Sequence, residues 1–311
     1  MKKRILVISS ANMDMAMTVR RLPSAGETLI DGGSYAFLPG GKGANSAIAF
    51  SRLGGDCVFC TKLGRDAHGD TLLDFYNKNS LDTRFVSRSQ KYPTGLAVIM
   101  VESSGMNRIV VYPGANRAIG KNEVDEAFLC YPDAVYLNFE IPYDTVLTAC
   151  EYAVLQNIPI FIDAGPASDA IPLEKLPEIE VFSPNESETY RFTGIMPDNL
   201  GNCLRAASAL YERMKVKYIV IKLGGRGCFV YDGTYQNLCA PYETSVIDTT
   251  AAGDAFTAAL TLEYMRGADI LAACRYANAV GAMVVSKKGA SSSVPTEEEV
   301  EKFIKEYGKN D

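Results

Sequence analysis

The stretch DTTAAGDAFTAAL, residues 248–260, sets two carboxylates six positions apart with threonines, alanines and a single glycine between them. Before it, ETSVI ends on Val246 and Ile247, β-branched residues that suit a strand. After it, DAFTAALTLEYM is rich in small and apolar residues and meets Gly267 where a helix would stop. TTAAG is therefore expected to be a strand-to-helix turn. With no bulky side chains in the way, its backbone N–H groups are free to point at a ligand, and the first turn of a helix leaves such donors unpaired. The helix dipole adds roughly half a positive charge, which makes the turn a candidate anion site. An acid inside that site needs a reason, because Asp254 repels any anion bound there. The repulsion makes sense if Asp254 faces a hydroxyl that loses its proton while attacking a phosphoryl group. Read alone, the residue equally well complements the helix dipole, and both readings stay open on this segment.

Outward from this turn, strand-like runs alternate with helical patterns: RILVI (4–8), CVFCTK (57–62), AVYLN (134–138), PIFID (159–163), VFSP (181–184) and YIVIKL (218–223), with helix-like ANSAIAFSRLGG and DTVLTACEYAVLQN between them. Such alternation predicts an α/β fold, a three-layer αβα sandwich on a mostly parallel central sheet. No repeat or long linker divides the chain, so residues 1–311 are expected to form one domain. Residues 15–38 and 94–113 break the alternation with strand-like patches, and the second reads as a hairpin turning at SSGMN. Both are expected to form a small antiparallel sheet standing off the main one as a lid. The C-terminal PTEEEVEKFIKEYGKND reads as a helix, with Thr296 and Glu299 at capping-box spacing.

The balance of 37 acidic against 31 basic residues argues against a nucleic-acid backbone as the main partner. The start, MKKRILVISS, has only a short apolar run before Asn12 and Asp14 and reads as a first strand; neither a signal peptide nor a membrane span is expected. The eight cysteines are scattered through apolar segments, as reduced buried thiols of a cytoplasmic protein would be. Cys57 and Cys60, a lone C-x-x-C in a strand, are expected to point to opposite faces. The single histidine, His68, lies in RDAHGD without a G-x-S-x-G partner motif and reads as a loop or helix-start residue. Chemistry must then rest on carboxylates, lysines and backbone.

PGGKGANSAIAF (39–50) is not a P-loop, because Gly43 rather than Ser or Thr follows Lys42. It remains a glycine-rich turn into a helix with Asn45 in or near the first turn, where an amide can both donate to and accept from a hydroxyl. LGGRG (223–227) reads as a tight turn after a strand. In SPNESETYRFTG (183–194), Asn185, Glu186 and Glu188 follow a strand, where carboxylates either hold Mg²⁺ through its waters or only cap the next helix. Glu140 and Asp14 each stand just after a strand, the edge of an open α/β sheet where polar ligands bind, and each is open between ligand contact and solvated loop acid.

Taken together, GGKGAN, YPGAN, PNESE, KLGGRG and DTTAAGDAF, in this order, resemble the ribokinase-like (phosphofructokinase-B-type) carbohydrate kinases over essentially the whole chain. The resemblance implies ATP-dependent phosphorylation of a sugar. D-ribose at its 5-hydroxyl is favoured, and fructose, deoxyribose or a nucleoside are alternatives. A non-catalytic sugar-binding regulator is the rival from another class. The resemblance further implies that Asp254 is the base and that the N–H groups of Ala251, Ala252 and Gly253 form an anion hole. Asp14, Gly41, Lys42, Asn45 and Glu140 would contact the sugar. Asn185 and Glu188 would organise Mg²⁺ and phosphates, and Lys222, Gly224 and Asn278 would lie along the nucleotide. A monovalent cation, K⁺, would sit by Asp248, Thr250, Val284, Lys287, Gly289 and Ser293, and paired lids would make a homodimer. Two positions depart from the pattern: threonine is common where Lys222 stands, and arginine where Lys287 stands.

Overall fold

The structure is a computed structural model that describes residues 2–31, 33–104 and 106–307. Gly32 and Gly105, both in the expected lid segments, and residues 308–311 of the expected last helix lie outside the described residues. In chain order the elements are β1 (Arg4–Ile8), β2 (Asn12–Val19), β3 (Tyr35–Gly40), α1 (Lys42–Arg52), β4 (Asp56–Gly64), α2 (Ala67–Lys78), β5 (Asp82–Ser89), β6 (Gly95–Glu102), β7 (Asn107–Tyr112), α3 (Lys121–Ala127) and β8 (Ala134–Leu137). There follow α4 (Tyr143–Leu155), β9 (Ile160–Asp163), β10 (Ile179–Ser183), α5 (Glu186–Thr193), α6 (Leu200–Arg213), β11 (Val216–Lys222), β12 (Cys228–Tyr231), β13 (Gln236–Cys239), α7 (Ala252–Met265), α8 (Ile270–Val285) and α9 (Glu297–Tyr307).

Among the described residues the main sheet has the order β13-β12-β11-β10-β9-β8-β1-β4-β5. It is parallel except where β12 and β13 fold back antiparallel at one edge. Strand period explains the two-sided core: Ile5 and Val7 of central β1 enter one buried cluster, Leu6 and Ile8 the other, so helices must cover both faces. Cys57 and Cys60 divide between the same two clusters, as expected. His68 lies at the start of α2, its ring 5.1 Å from that of Phe37. Thr296 and Glu299 close the expected capping box at the head of α9.

The second sheet, β3-β2-β6-β7, occupies the two segments that break the alternation. It differs from expectation in two ways. It is mixed, because β2 and β6 both leave the C-terminal ends of main-sheet strands (β1 and β5) and therefore run side by side in the same direction. It begins at Asn12 rather than residue 15, which puts Asp14 on a lid strand opposite Leu38 and Ala97 instead of in a loop. The apolar run LAVIMV forms interior strand β6, while the exposed apolar side chains belong to the edge strands: Tyr35, Phe37 and Leu38 on β3, and Ile109, Val110, Val111 and Tyr112 on β7. The expected strand at 243–247 is absent as well. Val246 and Ile247 are 65% and 64% exposed; the segment is fastened where the Glu243 N–H donates to the Tyr307 hydroxyl and where the N–H groups of Ile247 and Asp248 donate to Val285 O. β-branched residues form a strand only where a neighbour can pair and cover them, and this segment runs along the end of α8 instead.

Candidate active site

At the C-terminal ends of the strands, where open α/β sheets bind ligands, Lys42, Asn45, Glu140, Glu188 and Asp254 meet. Gly41 opens α1 at φ 92°, and its N-cap position turns the chain so that the helix starts at Lys42. The Lys42 N–H donates to Glu140 Oε2 at 3.0 Å, and the Ser10 hydroxyl donates to the same oxygen. Asn45 Nδ2 donates to Asp254 Oδ2 at 2.8 Å, while Lys42 Nζ lies 3.4 Å from Asp254 Oδ1 and 3.9 Å from Glu188 Oε1. Asp14 folds beneath Gly40, where any side chain would collide with its carboxylate. Asn45 Oδ1 and Asn138 Nδ2 are buried with no hydrogen-bond partner among the described residues, an arrangement that native proteins leave open where a ligand or water completes it.

Charge makes the pocket unusual. Burial, joined by the charges of Glu140 and Asp254, pushes the Asp14 carboxyl up to about 7. Burial also raises Glu140, against the bonds from Ser10 and Lys42. Glu188 is raised by burial and by Asp163, against the pull of Lys222 and Lys42. For Lys42 burial alone would favour the neutral amine, but the carboxylates of Asp254, Asp163, Glu188 and Glu140 outweigh it and keep the ammonium charged. Two cations, Lys42 and Lys222, are thus held among several buried carboxylates, a setting in which a transferring group's charge is strongly felt.

The small-residue turn forms with an unexpected strain. Ala251, the N-cap of α7, sits in the left-handed region at φ 63°, ψ 1°. A non-glycine residue there costs about 1–3 kcal/mol and recurs at ligand clamps. The Ala252 N–H donates to Thr249 O at 3.3 Å, and the first turn of a helix leaves further N–H groups without helical partners. Asp254 follows in the first turn of α7, buried.

Three of the expected nucleotide contacts stand differently from a simple lining. Lys222 Nζ points inward to Asp163 Oδ2 at 2.5 Å and to the Thr257 hydroxyl at 3.1 Å, directly behind Gly253. Asn278 Nδ2 donates to the carbonyls of Cys239 and Ala240, which fixes the exit of β13. Asn185 caps α5 through Glu188 N at 2.8 Å, and Glu188 returns a bond from Asn185 N at 2.8 Å, so the capping box expected as one alternative is present. Gly224 opens the tight turn at φ 55°. Around the expected cation position, Asp248 accepts from Thr250 N and Oγ1 and from Gly289 N, and Lys287 N donates to Val284 O. The Ser293 hydroxyl instead donates to Ala290 O at 2.7 Å. Sequence reading missed Ser10, Asp163, Thr257 and Asn116. Asn116 pins the β1–β2 connection through Ala11 and Asn12, and only its place in YPGAN hinted at it.

Residues 2–297 match the family described as pfkB family carbohydrate kinase. The ribokinase of Staphylococcus aureus (strain COL) is 32% identical over 303 residues, 96% of this chain and 99% of that protein. A bifunctional ribokinase/ribose-5-phosphate isomerase A of Fructilactobacillus sanfranciscensis is 34% identical over 301 residues, 96% of this chain; the chain spans only 55% of that relative. Among solved structures, Arabidopsis thaliana ribokinase complexed with ribose and ATP matches with a TM-score of 0.90 at 30% identity, over 98% of this chain and 99% of that one.

Proposed function

We propose that this chain, which belongs to the pfkB family of carbohydrate kinases, transfers the terminal phosphoryl group of ATP to the 5-hydroxyl of D-ribose. The observation that carries the reading is Asp254. Its carboxylate is held by Asn45 and Lys42 in the first turn of α7, next to the strained Ala251 cap at the helix N-terminus, the end that attracts an anion. Asp14, Asn45 and Glu140 supply sugar-sized acceptors, with Asn45 Oδ1 left for a hydroxyl. Asp254 takes the hydroxyl proton as the oxygen attacks. Lys42 and the 251–253 backbone hold the charge that develops on the transferred group. The resemblance to ribose- and ATP-bound ribokinase supports the choice of sugar and donor.

The carboxylate of Glu188 is suited to Mg²⁺ held through water, and the Asp248 carboxylate, fixed by Thr250 and Gly289, would offer a hard oxygen ligand to K⁺. Mg²⁺ would supply neutralisation of phosphate charge; K⁺ would rigidify the 248–254 loop. In this reading 1–311 is one kinase domain, the small sheet its lid and the exposed faces of β3 and β7 a homodimer contact. Eight buried free thiols support a cytoplasmic setting, and no helix among the described residues is long and apolar enough to cross a membrane. The test is Asp254→Asn. We expect kcat to fall by about 10³-fold or more, since a positioned base contributes about 10²–10⁴-fold, while calorimetry still detects ribose binding. Near-normal turnover in the variant would remove Asp254 from the chemistry.

A further inference from the structure

Cys228, Cys239 and Cys274 come from three elements, β12, β13 and α8, and their sulfur atoms all lie within 4.8 Å of one another. Cys228 and Cys239 face each other directly across the antiparallel β12–β13 pair, and Cys274 descends on them from the covering helix. All three are buried. The remaining cysteines, 57, 60, 130, 150 and 203, enter no such group among the described residues. Ordinary core cysteines pack as isolated small apolar side chains. Three sulfurs converging on one point make a ligand set.

We propose that Cys228, Cys239 and Cys274 form a three-thiolate binding site for a soft monovalent cation, Cu(I). Three ligands about 2.3 Å from a central ion, the length of a metal–thiolate bond, stand about 4.0 Å apart when they surround it in a plane, so the observed spacing needs only small side-chain adjustment. Among the described residues no fourth Cys, His, Asp or Glu joins the cluster. That disfavours zinc, whose structural sites take four ligands, and suits a thiolate-loving ion content with three. Cys239 Sγ also lies 3.8 Å from Asn237 Oδ1 on the same strand. Each thiol that ligates gives its proton to solvent. The bound ion would staple the antiparallel edge of the sheet to α8. It would do so beside the backbone that Asn278 holds at Cys239 and Ala240, and beside Gly227, whose φ of 83° lets the chain pass close to the Cys239 carbonyl.

The experiment uses the full-length, reduced, metal-free protein under anaerobic conditions, titrated with Cu(I) against the competing chelator bicinchoninate. The expected result is one ion per chain, a thiolate-to-copper absorption in the ultraviolet, and a higher melting temperature. Substitutions that only touch the surroundings of a metal site already weaken it by up to about 100-fold, so Cys239→Ser and Cys274→Ala should each weaken binding by at least about that factor. Cys150→Ala, on the opposite side of the sheet, should leave it unchanged. Circular dichroism without metal checks that each variant folds, and either of the two ligand variants suffices if the other does not. No competitive binding by the parent chain, or binding of undiminished strength in a folded Cys239→Ser or Cys274→Ala chain, overturns the proposal.

Discussion

At the scale of single residues, the site is a set of buried charges that hold one another. Among them Asp14 is pushed up to about 7, chiefly by burial. Below that value it carries a proton; sugar hydroxyls that donate to it favour its ionised form, so binding must expel the proton there. Ribose affinity should therefore rise with pH between about 5 and 7, by at most about tenfold per unit, and level off above. Asp14→Asn should flatten the profile. Calorimetric Kd values that do not change across this range in the parent chain would contradict the assignment. Lys222 plays a different part from the one its position suggested. It neutralises Asp163, whose carboxyl burial would raise but Lys222 and Lys42 hold low. Removing one member of a buried pair strands the other charge, at a cost of about 3–5 kcal/mol. Lys222→Met should lose about that much stability in denaturant unfolding, and the further change Asp163→Asn should restore part of it. A Lys222→Met chain as stable as its parent would show that the pair is not needed.

At the scale of elements, what could be read in the sequence was what is local. The small-residue turn at 249–253, though without the strand expected before it, the glycine entry to α1 with Asn45 in its head, and the alternation of strands and helices are written in consecutive residues, and the turn, the glycine entry and the alternation are all found. What escaped depends on contacts across the chain. The bonds from Thr257 and Lys222 to Asp163, from Asn116 to the β1–β2 connection and from Ser10 to Glu140 join residues 59 to 130 positions apart. Val246 and Ile247 misled because intrinsic strand preference says nothing about whether a partner strand is present. Asp14 was found by type but misplaced by element, since three residues suffice to carry the chain from β1 into the second sheet. That sheet presents Tyr35, Phe37, Ile109, Val110 and Tyr112 to solvent on its two edge strands. Exposed apolar side chains on edge strands are a liability unless they meet a partner. Ile109→Lys with Val110→Lys should convert a dimer to monomer in sedimentation velocity; a parent chain that sediments as a monomer at micromolar concentration would exclude the lid pairing.

At the scale of the whole molecule, the main sheet collects the ends of β1, β8, β9, β10 and β11 around the first turn of α7, and the second sheet contributes Asp14 from above. Neither part holds the proposed site alone: the proposed base Asp254 and the turn before it belong to the large layer, and Asp14, a proposed sugar acceptor, to the small one. Closure of the small sheet over the sugar would exclude water from the carboxylates and from the transferring group, which is where the electrostatics of the pocket gain their strength. The most direct measurement is ADP release from ATP and Mg²⁺ with ribose, deoxyribose, fructose and adenosine, each with potassium and with sodium alone. Preference for ribose with activation by potassium is the predicted result. Turnover of another sugar in preference to ribose would contradict the assigned substrate, and an equal rate in sodium alone would contradict the cation's role at Asp248.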